Sequence, residues 1–379
     1  MSYIIAIGLY LVLLMVYGLV IAHKKVKTTD DMMTGGRKIP FIILVGSLLA
    51  TWCGGGGITG SAGVVYSGGP WVGVLTFAAP PIGIILLYFI AGKVRKSNKV
   101  TVPEIMGARY GTAASIISAL CVMLAYVGVL ATQLKAAANI LVLLCHSSGI
   151  EITHCVEISI CTVIIVIITV GGGLVSVAYS DAVSALIMIG GFFLAIPILM
   201  RAASAQGAVL PAEKTTFTGG MSGWTLLGYF LPSLALMLGD QNMLQRFASA
   251  KNSDEAKKSN IGMFIGEIMV IASIVAVATQ AAKLYPTLDT PSNVIFQVAV
   301  DYLPMVFGAL VMCACMAFIV TTADSYLLSS ATNLTNDIYV KYINKNATDR
   351  QKMTVLRATI VVFSVIAVVL TLYFPTVLQ

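Results

Sequence analysis

Ten apolar segments dominate the chain, at approximately 3–22, 39–66, 71–92, 113–144, 156–173, 182–200, 224–245, 261–282, 303–335 and 355–374. A bilayer core about 30 Å thick takes roughly 20 residues of helix to cross. Inside it every backbone N–H and C=O must be satisfied within the protein, so only helices and closed barrels span. Barrel strands would alternate in polarity and be about half as long. The fold class expected is therefore all-α: a polytopic membrane protein with about ten transmembrane helices. The fifth segment is marginal, and the fourth and ninth are long enough to tilt or project beyond the bilayer. Composition closes the other routes. Apolar residues make up 58% of the 379 and charged residues 10%, against about 25% charged in soluble domains. Mean hydropathy is +0.93. A soluble domain, a disordered chain, a coiled coil and a disulfide-rich scaffold all fail on these figures.

Residues 1–22 carry no positive charge before the apolar run and no small-residue cleavage site after it, so they read as an uncleaved first helix. Placing odd-numbered loops in the cytoplasm puts nineteen of the twenty-three Lys and Arg residues there. Arg201, Lys214 and Lys283 fall on the other side, and Lys135 lies within a span. Cytoplasmic loops are enriched in Lys and Arg, so the expectation is a multi-pass protein of the plasma (inner) membrane with its N-terminus outside. The net charge of +7 then faces anionic lipid and needs no nucleic-acid partner. No linker divides the chain, which reads as a single transmembrane domain over 1–379.

Most of the seven cysteines fall in apolar spans, where a thiol behaves as a small hydrophobe. Cys145-His146 and His154-Cys155 instead bracket an outer loop containing Glu151. That loop admits a disulfide, a zinc site, or two helix ends that happen to carry soft residues.

Two spans are interrupted. The second contains Gly54-Gly55-Gly56-Gly57, then Gly60 and Gly63. Each glycine costs a helix about 1 kcal/mol relative to alanine. One or two would suit close packing, whereas a run of four predicts an unwound segment with free carbonyls. The seventh span has Pro232, then Gly239-Asp240-Gln241-Asn242 near its inner end. The interval matches a repeat of five helices that starts at the second span and again at the seventh. Inverted five-helix repeats with broken first helices build a class of secondary transporters. The ninth span carries Thr321, Thr322, Asp324 and Ser325. Three of them share a face, and hard oxygens of this kind suit an alkali cation or Ca²⁺. Hydroxyls bonding back to their own helix would be the structural alternative. Asp181, after Gly171-Gly172-Gly173, reads either as a helix N-cap or as a functional carboxylate. Gln133 and Lys135 lie in the fourth span and Glu267 in the eighth, where no partner for it is evident from sequence.

Six stretches together resemble the sodium:solute symporter family. They are Thr101-Val102-Pro103-Glu104 with Arg109-Tyr110-Gly111; Gly171-Gly172-Gly173 with Tyr179-Ser180-Asp181; Gly239-Asp240-Gln241-Asn242; Gln245-Arg246; Thr321-Thr322-Ala323-Asp324-Ser325; and Asn336-Asp337-Ile338-Tyr339. The resemblance runs over nearly the whole chain and implies an inverted-repeat transporter fold with an extra N-terminal helix. Residues 1–38 would be that helix and a cytoplasmic loop, 39–200 the first repeat and 223–379 an incomplete second repeat. The family's last core helix would be missing, so a second chain supplying helices is a conceivable partner. The resemblance further implies a main sodium site built from the carbonyls of Ala50, Cys53 and Phe318 and the hydroxyls of Thr321 and Thr322. A second sodium site would draw on Asp181, Thr321, Asp324 and Ser325.

Thr51-Trp52 before the glycine run is similar to the choline-transporter branch of the family. Solute binding is accordingly expected at Trp52, Gly54, Gly55, Gly56 and Gly57, with Tyr126, Gln133 and Tyr229 nearby. Trp71 and Trp224 are expected near the outer surface. Gly56 and Gly57 replace polar side chains found in sugar-carrying relatives, which turns the expectation toward an amino acid, organic acid or organic cation. The function implied is sodium-coupled symport, with Na⁺ as coupling ion and no organic cofactor. A transporter-derived sensing module or an inactive truncated fragment is the alternative. No zinc motif, nucleophile triad or phosphate loop points to an enzyme.

Overall fold

The structure, a computed structural model, describes residues 2–147 and 154–373, which are helical almost throughout. In chain order the α-helices are α1 (Ser2–Lys25), α2 (Thr29–Thr34), α3 (Phe41–Trp52), α4 (Ser61–Gly68), α5 (Pro70–Thr76), α6 (Ala79–Ser97), α7 (Val102–Tyr110) and α8 (Thr112–Ser147). They continue with α9 (His154–Ala205), α10 (Gly223–Gly239), α11 (Gln241–Ser249), α12 (Ser253–Leu284), α13 (Val294–Asp301), α14 (Met305–Thr332) and α15 (Asp349–Tyr373). Among the described residues strand pairing is limited to one isolated bridge, Ile39 to Ala250.

Among the described residues, seven helical stretches are long and apolar enough to cross a membrane, and the bent pair of α3 with Gly56–Gly68 makes an eighth. The remaining expected crossings are explained by two elements. Helix α9 has 52 residues and is about 78 Å long, far more than one crossing. Its backbone breaks at Gly173, with φ 53° and ψ −153°, leaving a span's length on either side. The fifth and sixth segments therefore join without a loop. Helix α10, with 17 residues, is short for a crossing and continues after a one-residue break into α11.

Helix α14 is the spine. Every residue from Val311 to Asn333 is buried, and its largest contact surfaces lie against α9 and α8. Its sequence is correspondingly apolar or small on all faces, the pattern of a helix surrounded by others. Helix α1 is the opposite case. Ile7, Leu11, Leu14 and Gly18 are buried on one stripe, while Ile5, Leu9, Val12, Leu13 and Val16 face outward. In a bilayer those exposed side chains meet lipid rather than water.

The loops holding most of the cationic residues meet at one end of the bundle. Arg37 hydrogen-bonds Asn98, Arg95 donates to the carbonyls of Ala250 and Lys251, and Thr29 donates to the Asp349 carbonyl. Local capping fixes the helices entering this end. Thr28 and Asp31 form a capping box on α2, Thr101 caps α7 through the Glu104 amide, and Asn252 accepts from both Asp254 and Glu255 on α12. Each such cap is worth about 1 kcal/mol. At the opposite end Lys214 lies over the Tyr66 ring, whose hydroxyl donates to the Tyr285 carbonyl.

Gly173 carries the sharpest local constraint. Its φ/ψ pair is close to the region used essentially by glycine alone. A Cβ there would lie 2.5 Å from the Met32 carbonyl oxygen and 2.3 Å from the Met32 Cγ. Gly173→Ala should cost about 1–3 kcal/mol, read as a lower midpoint of thermal unfolding in detergent. Gly190, in the same helix, has nothing within 4 Å of the corresponding position, so Gly190→Ala should leave the midpoint unchanged or raise it. Equal midpoints for the two variants would dismiss the strained break.

Candidate functional site

Helix α3 stops at Trp52, and Cys53 leaves helical geometry with φ −81° and ψ 41°. The chain resumes at once as a π-helix, Gly56–Gly60, bent 63° from α3. The irregular stretch is therefore shorter than the run of four glycines suggests, being confined to Cys53 and Gly54. The glycines divide into two pairs. A Cβ on Gly54 would meet the Thr322 Cγ2 at 2.7 Å, and one on Gly55 would meet the Ala136 Cβ at 2.7 Å. These two let α14 and α8 approach the break. Gly56 has nothing within 4 Å and Gly57 only the Trp52 carbonyl, at 3.5 Å. These two leave open space, and that space is a cavity.

The break is held from both sides. Gln133 on α8 accepts from the Gly55 amide at 2.7 Å. Thr322 on α14 donates from Oγ1 to the Ala50 carbonyl at 2.9 Å. Thr321 and Ser325 bond back to their own helix, at 3.4 Å to the Phe318 carbonyl and 2.9 Å to the Thr321 carbonyl. Both readings of this polar face therefore hold: Thr322 spends its hydroxyl across the helix interface on a backbone carbonyl, while Ser325 bonds back to its own helix and also accepts from Arg246. Ser325 also lies 3.2 Å from the Thr51 hydroxyl. Of the five residues in the implied main sodium site, Ala50 and Thr322 are thus in direct contact. Phe318 and Thr321 are joined by a bond within α14, and Cys53 stands at the break.

Asp181 is not an N-cap. It lies inside α9, fully buried, and accepts from Ser47 at 2.6 Å and from Arg246 at 3.3 Å. Arg246 is itself fully buried. Its guanidinium donates to Ser47 at 2.7 Å, to Ser325 at 2.7 Å and to the Asn242 carbonyl at 3.3 Å. An arginine thus already satisfies part of the second implied sodium set, which the sequence reading missed although Gln245-Arg246 was among its motifs. Asp324, also in that set, accepts from Thr169 at 2.6 Å. One oxygen each of Asp181 and Asp324 is buried without a hydrogen-bond partner.

The cavity beside the break has a volume of about 430 Å³ and is lined largely by apolar groups, within the usual range for small-molecule sites. Trp52, Gln133, Tyr229, Glu267, Thr322 and Tyr326 reach its wall. Tyr126 does not line it. Its ring packs edge-on against Tyr326 at 4.6 Å, and its hydroxyl hydrogen-bonds Asp240 and accepts from the Gln241 amide at 2.7 Å. Tyr126 therefore locks the junction of α10 and α11. Trp71 and Trp224 are exposed, away from the cavity, as expected. Glu267, left without a partner by the sequence, meets the break directly, accepting from the Cys53 thiol at 3.2 Å.

The outer cysteine pair does not form a bridge: Cys145 and Cys155 are both free thiols. Glu151 and the side chains of His146 and His154 lie outside the described residues. Among the described residues, no cluster of three or more His, Cys, Asp or Glu side chains is placed to hold a metal ion.

The quoted motifs are bonded to one another. Thr101 donates to Asp337 at 3.0 Å, and the Val102 amide donates to Gln241 at 3.2 Å. Ser329 donates to Asn242 at 2.5 Å and to Gln245 at 2.7 Å. Lys25 reaches Tyr179. The first of these contacts are linked through Gln241, whose side-chain amide also donates to the Ser329 carbonyl at 3.4 Å.

A family model described as the sodium:solute symporter family matches residues 32–377. A high-affinity choline transporter of Drosophila melanogaster is 24% identical, over 99% of this chain and 62% of the relative. The human high affinity choline transporter is 26% identical, over 92% of this chain and 63% of the relative. A sodium/sialic acid symporter of Aliivibrio fischeri is 24% identical, over 97% of this chain and 76% of the relative. The chain thus spans a little under two thirds of the length of these two choline transporters. Among solved structures, a Na⁺-coupled sialic acid symporter in a substrate-bound outward-open state superposes with a TM-score of 0.83 at 18% identity. That match covers 100% of this chain and 83% of the other. A nucleobase-cation-symport-1 family transporter in a closed conformation gives 0.66 at 13% identity, covering 90% and 74%. The fold is that of the inverted-repeat transporters, and these relatives are transporters rather than enzymes.

Proposed function

Because the chain belongs to the sodium:solute symporter family, we propose that it carries out sodium-coupled symport of a small organic solute by alternating access. The observation that carries this reading is the contact of Thr322 with the Ala50 carbonyl, made between the spine helix and the broken helix at the edge of the cavity. Sodium is a transported substrate here. It would sit between the two helices, bound by the Ala50 carbonyl and by the oxygen of the neutral Thr322 hydroxyl, whose O–H turns away, with the Cys53 and Phe318 carbonyls and the Thr321 hydroxyl completing an all-oxygen set. Such oxygens suit a hard cation. Asp181, Asp324, Thr321 and Ser325 would form the second site, shared with the Arg246 guanidinium.

Sodium bound at the first site ties α14 to α3 and so favours the arrangement in which the cavity is formed. Coupling requires only that sodium binds the two access states with different affinity, and the solute then gains affinity by the same factor. The positive-inside rule supports an orientation with the basic end in the cytoplasm of a cell membrane and the N-terminus outside. Residues 39–200 and 223–379 would be the two repeats, within one transmembrane domain.

The test is uptake into proteoliposomes of choline, proline and sialic acid, each with an inward sodium gradient or an equal potassium gradient. Accumulation of one of them above its equilibrium level in sodium alone is expected. Equal uptake in both salts by the full-length protein would end the reading. Purified protein should also unfold at a higher temperature in sodium than in potassium at equal ionic strength. A site filled to ten times its dissociation constant adds about 1.4 kcal/mol.

A further inference from the structure

The eighth-segment carboxylate gives the cavity a polarity that the glycine run does not. Glu267 lies on α12, is 2% exposed and forms part of the cavity wall. Its carboxylate accepts from the Cys53 thiol at 3.2 Å and shares the cavity wall with the Trp52 side chain. Both groups are neutral, and among the described residues no cation forms an ion pair with it. This contrasts with Asp181, for which the chain supplies Arg246. A carboxylate within a membrane span is expensive and is usually balanced by a positive group. Among the described residues none is paired with Glu267, and the carboxylate borders the cavity.

We propose that Glu267 is a specificity-determining residue that selects solutes carrying a compact cationic nitrogen. This rests on the cavity being the solute site of the symporter reading. The Cys53 thiol holds the carboxylate at the wall and leaves lone pairs free. The space above Gly56 and Gly57 admits the cation beside it. The mostly apolar lining then suits a small alkyl-substituted or ring-borne nitrogen. A solute whose only charge is a carboxylate would face Glu267 across a poorly screened gap, where like charges repel strongly. Organic acids without a cationic nitrogen are thereby excluded from the solute classes the sequence left open.

The test uses purified full-length protein in detergent with saturating sodium, and thermal unfolding as readout. The probes are choline, proline, sialic acid, and 3,3-dimethylbutan-1-ol, which has the shape of choline without its charge. Choline, proline or both should stabilise the wild type, and the uncharged alcohol and sialic acid should not. In Glu267→Gln the concentration of the cationic probe giving half the shift should rise at least tenfold. Glu267→Asp, which keeps the charge, should keep the preference for the cation and shows that the position tolerates change. Equal shifts from choline and its uncharged isostere, no shift from either nitrogen-bearing probe, or an unchanged response in Glu267→Gln would each overturn the proposal. The sodium-specific shift is read on the same samples. Its survival in Glu267→Gln keeps the symporter reading whatever the probes do, and its absence from the wild type counts against symport alone.

Discussion

Replacing Arg246 by methionine should lower stability by about 3–5 kcal/mol, the effect expected when one partner of a buried ion pair is removed. The arginine is among the largest fully buried side chains. It holds together four elements: α3 through Ser47, α9 through Asp181, α14 through Ser325 and its own helix through Asn242. Methionine fills much of the volume but leaves the Asp181 carboxylate facing only hydroxyls. The destabilisation is therefore chiefly that of an uncompensated buried charge, and Asp181→Asn should remove it. The double variant should recover most of the lost midpoint, and a coupling energy of roughly 1–3 kcal/mol in the double-mutant cycle is expected. High sodium should also return part of the loss in the single variant, because Asp181, Thr321 and Ser325 keep their oxygens. Wild-type stability in the single variant, or additive losses in the cycle, would show that the pair is not what organises this part of the protein.

The spans were legible in the sequence because the bilayer requires a continuous apolar run for each crossing, and that requirement is local. The broken helix was legible for the same reason, since Gly54 to Gly57 stand together in the chain. What could not be read was which glycine serves which purpose. The separation of Gly54 and Gly55, crowded by α14 and α8, from Gly56 and Gly57, opening on the cavity, depends on helices far away in sequence. Arg246 and Glu267 were missed on similar grounds. Arg246 meets Asp181 65 residues away, and Glu267 meets Cys53 214 residues away. Nothing in the local pattern of either helix announces such a partner. At Glu267 an intramembrane charge with no local partner was the available signal, but it names neither the partner nor the role. Arg246 gave no such signal: it was counted among the cytoplasmic loop charges, whereas it is fully buried against Asp181. Asp181 was misplaced at a helix start because the glycine triplet looked like a loop, whereas only Gly173 departs from helical geometry. The six family motifs, each weak alone, turn out to be mutual hydrogen-bond partners, which is a physical reason for them to occur as a set.

Thr322→Ala should weaken sodium-specific stabilisation and sodium-driven uptake together. Thr322 is 2% exposed, and its hydroxyl is the atom that bridges α14 to the broken helix, 2.9 Å from the Ala50 carbonyl. Alanine removes an oxygen that no neighbouring side chain replaces in the same place. Two effects are separable. Loss of the hydrogen bond to Ala50 should cost about 1 kcal/mol in any salt, seen as a lower midpoint in potassium. Loss of a cation ligand should cost about 1.5–3 kcal/mol more, the range for hydrogen bonds to charged groups. That corresponds to a rise in the sodium concentration for half-maximal effect of roughly tenfold or more. Thr322→Ser keeps the oxygen and should keep the sodium response, with a small loss from the missing methyl. Thr321→Ala should be milder, since its hydroxyl bonds to the Phe318 carbonyl of its own helix and does not make the bridge to the Ala50 carbonyl. A Thr322→Ala protein that folds and still unfolds at a higher temperature in sodium than in potassium, with the wild-type sodium midpoint, would place the cation elsewhere. The contact between Thr322 and Ala50 would then be a packing bond between two helices, and the case for symport through this site would lose its central observation.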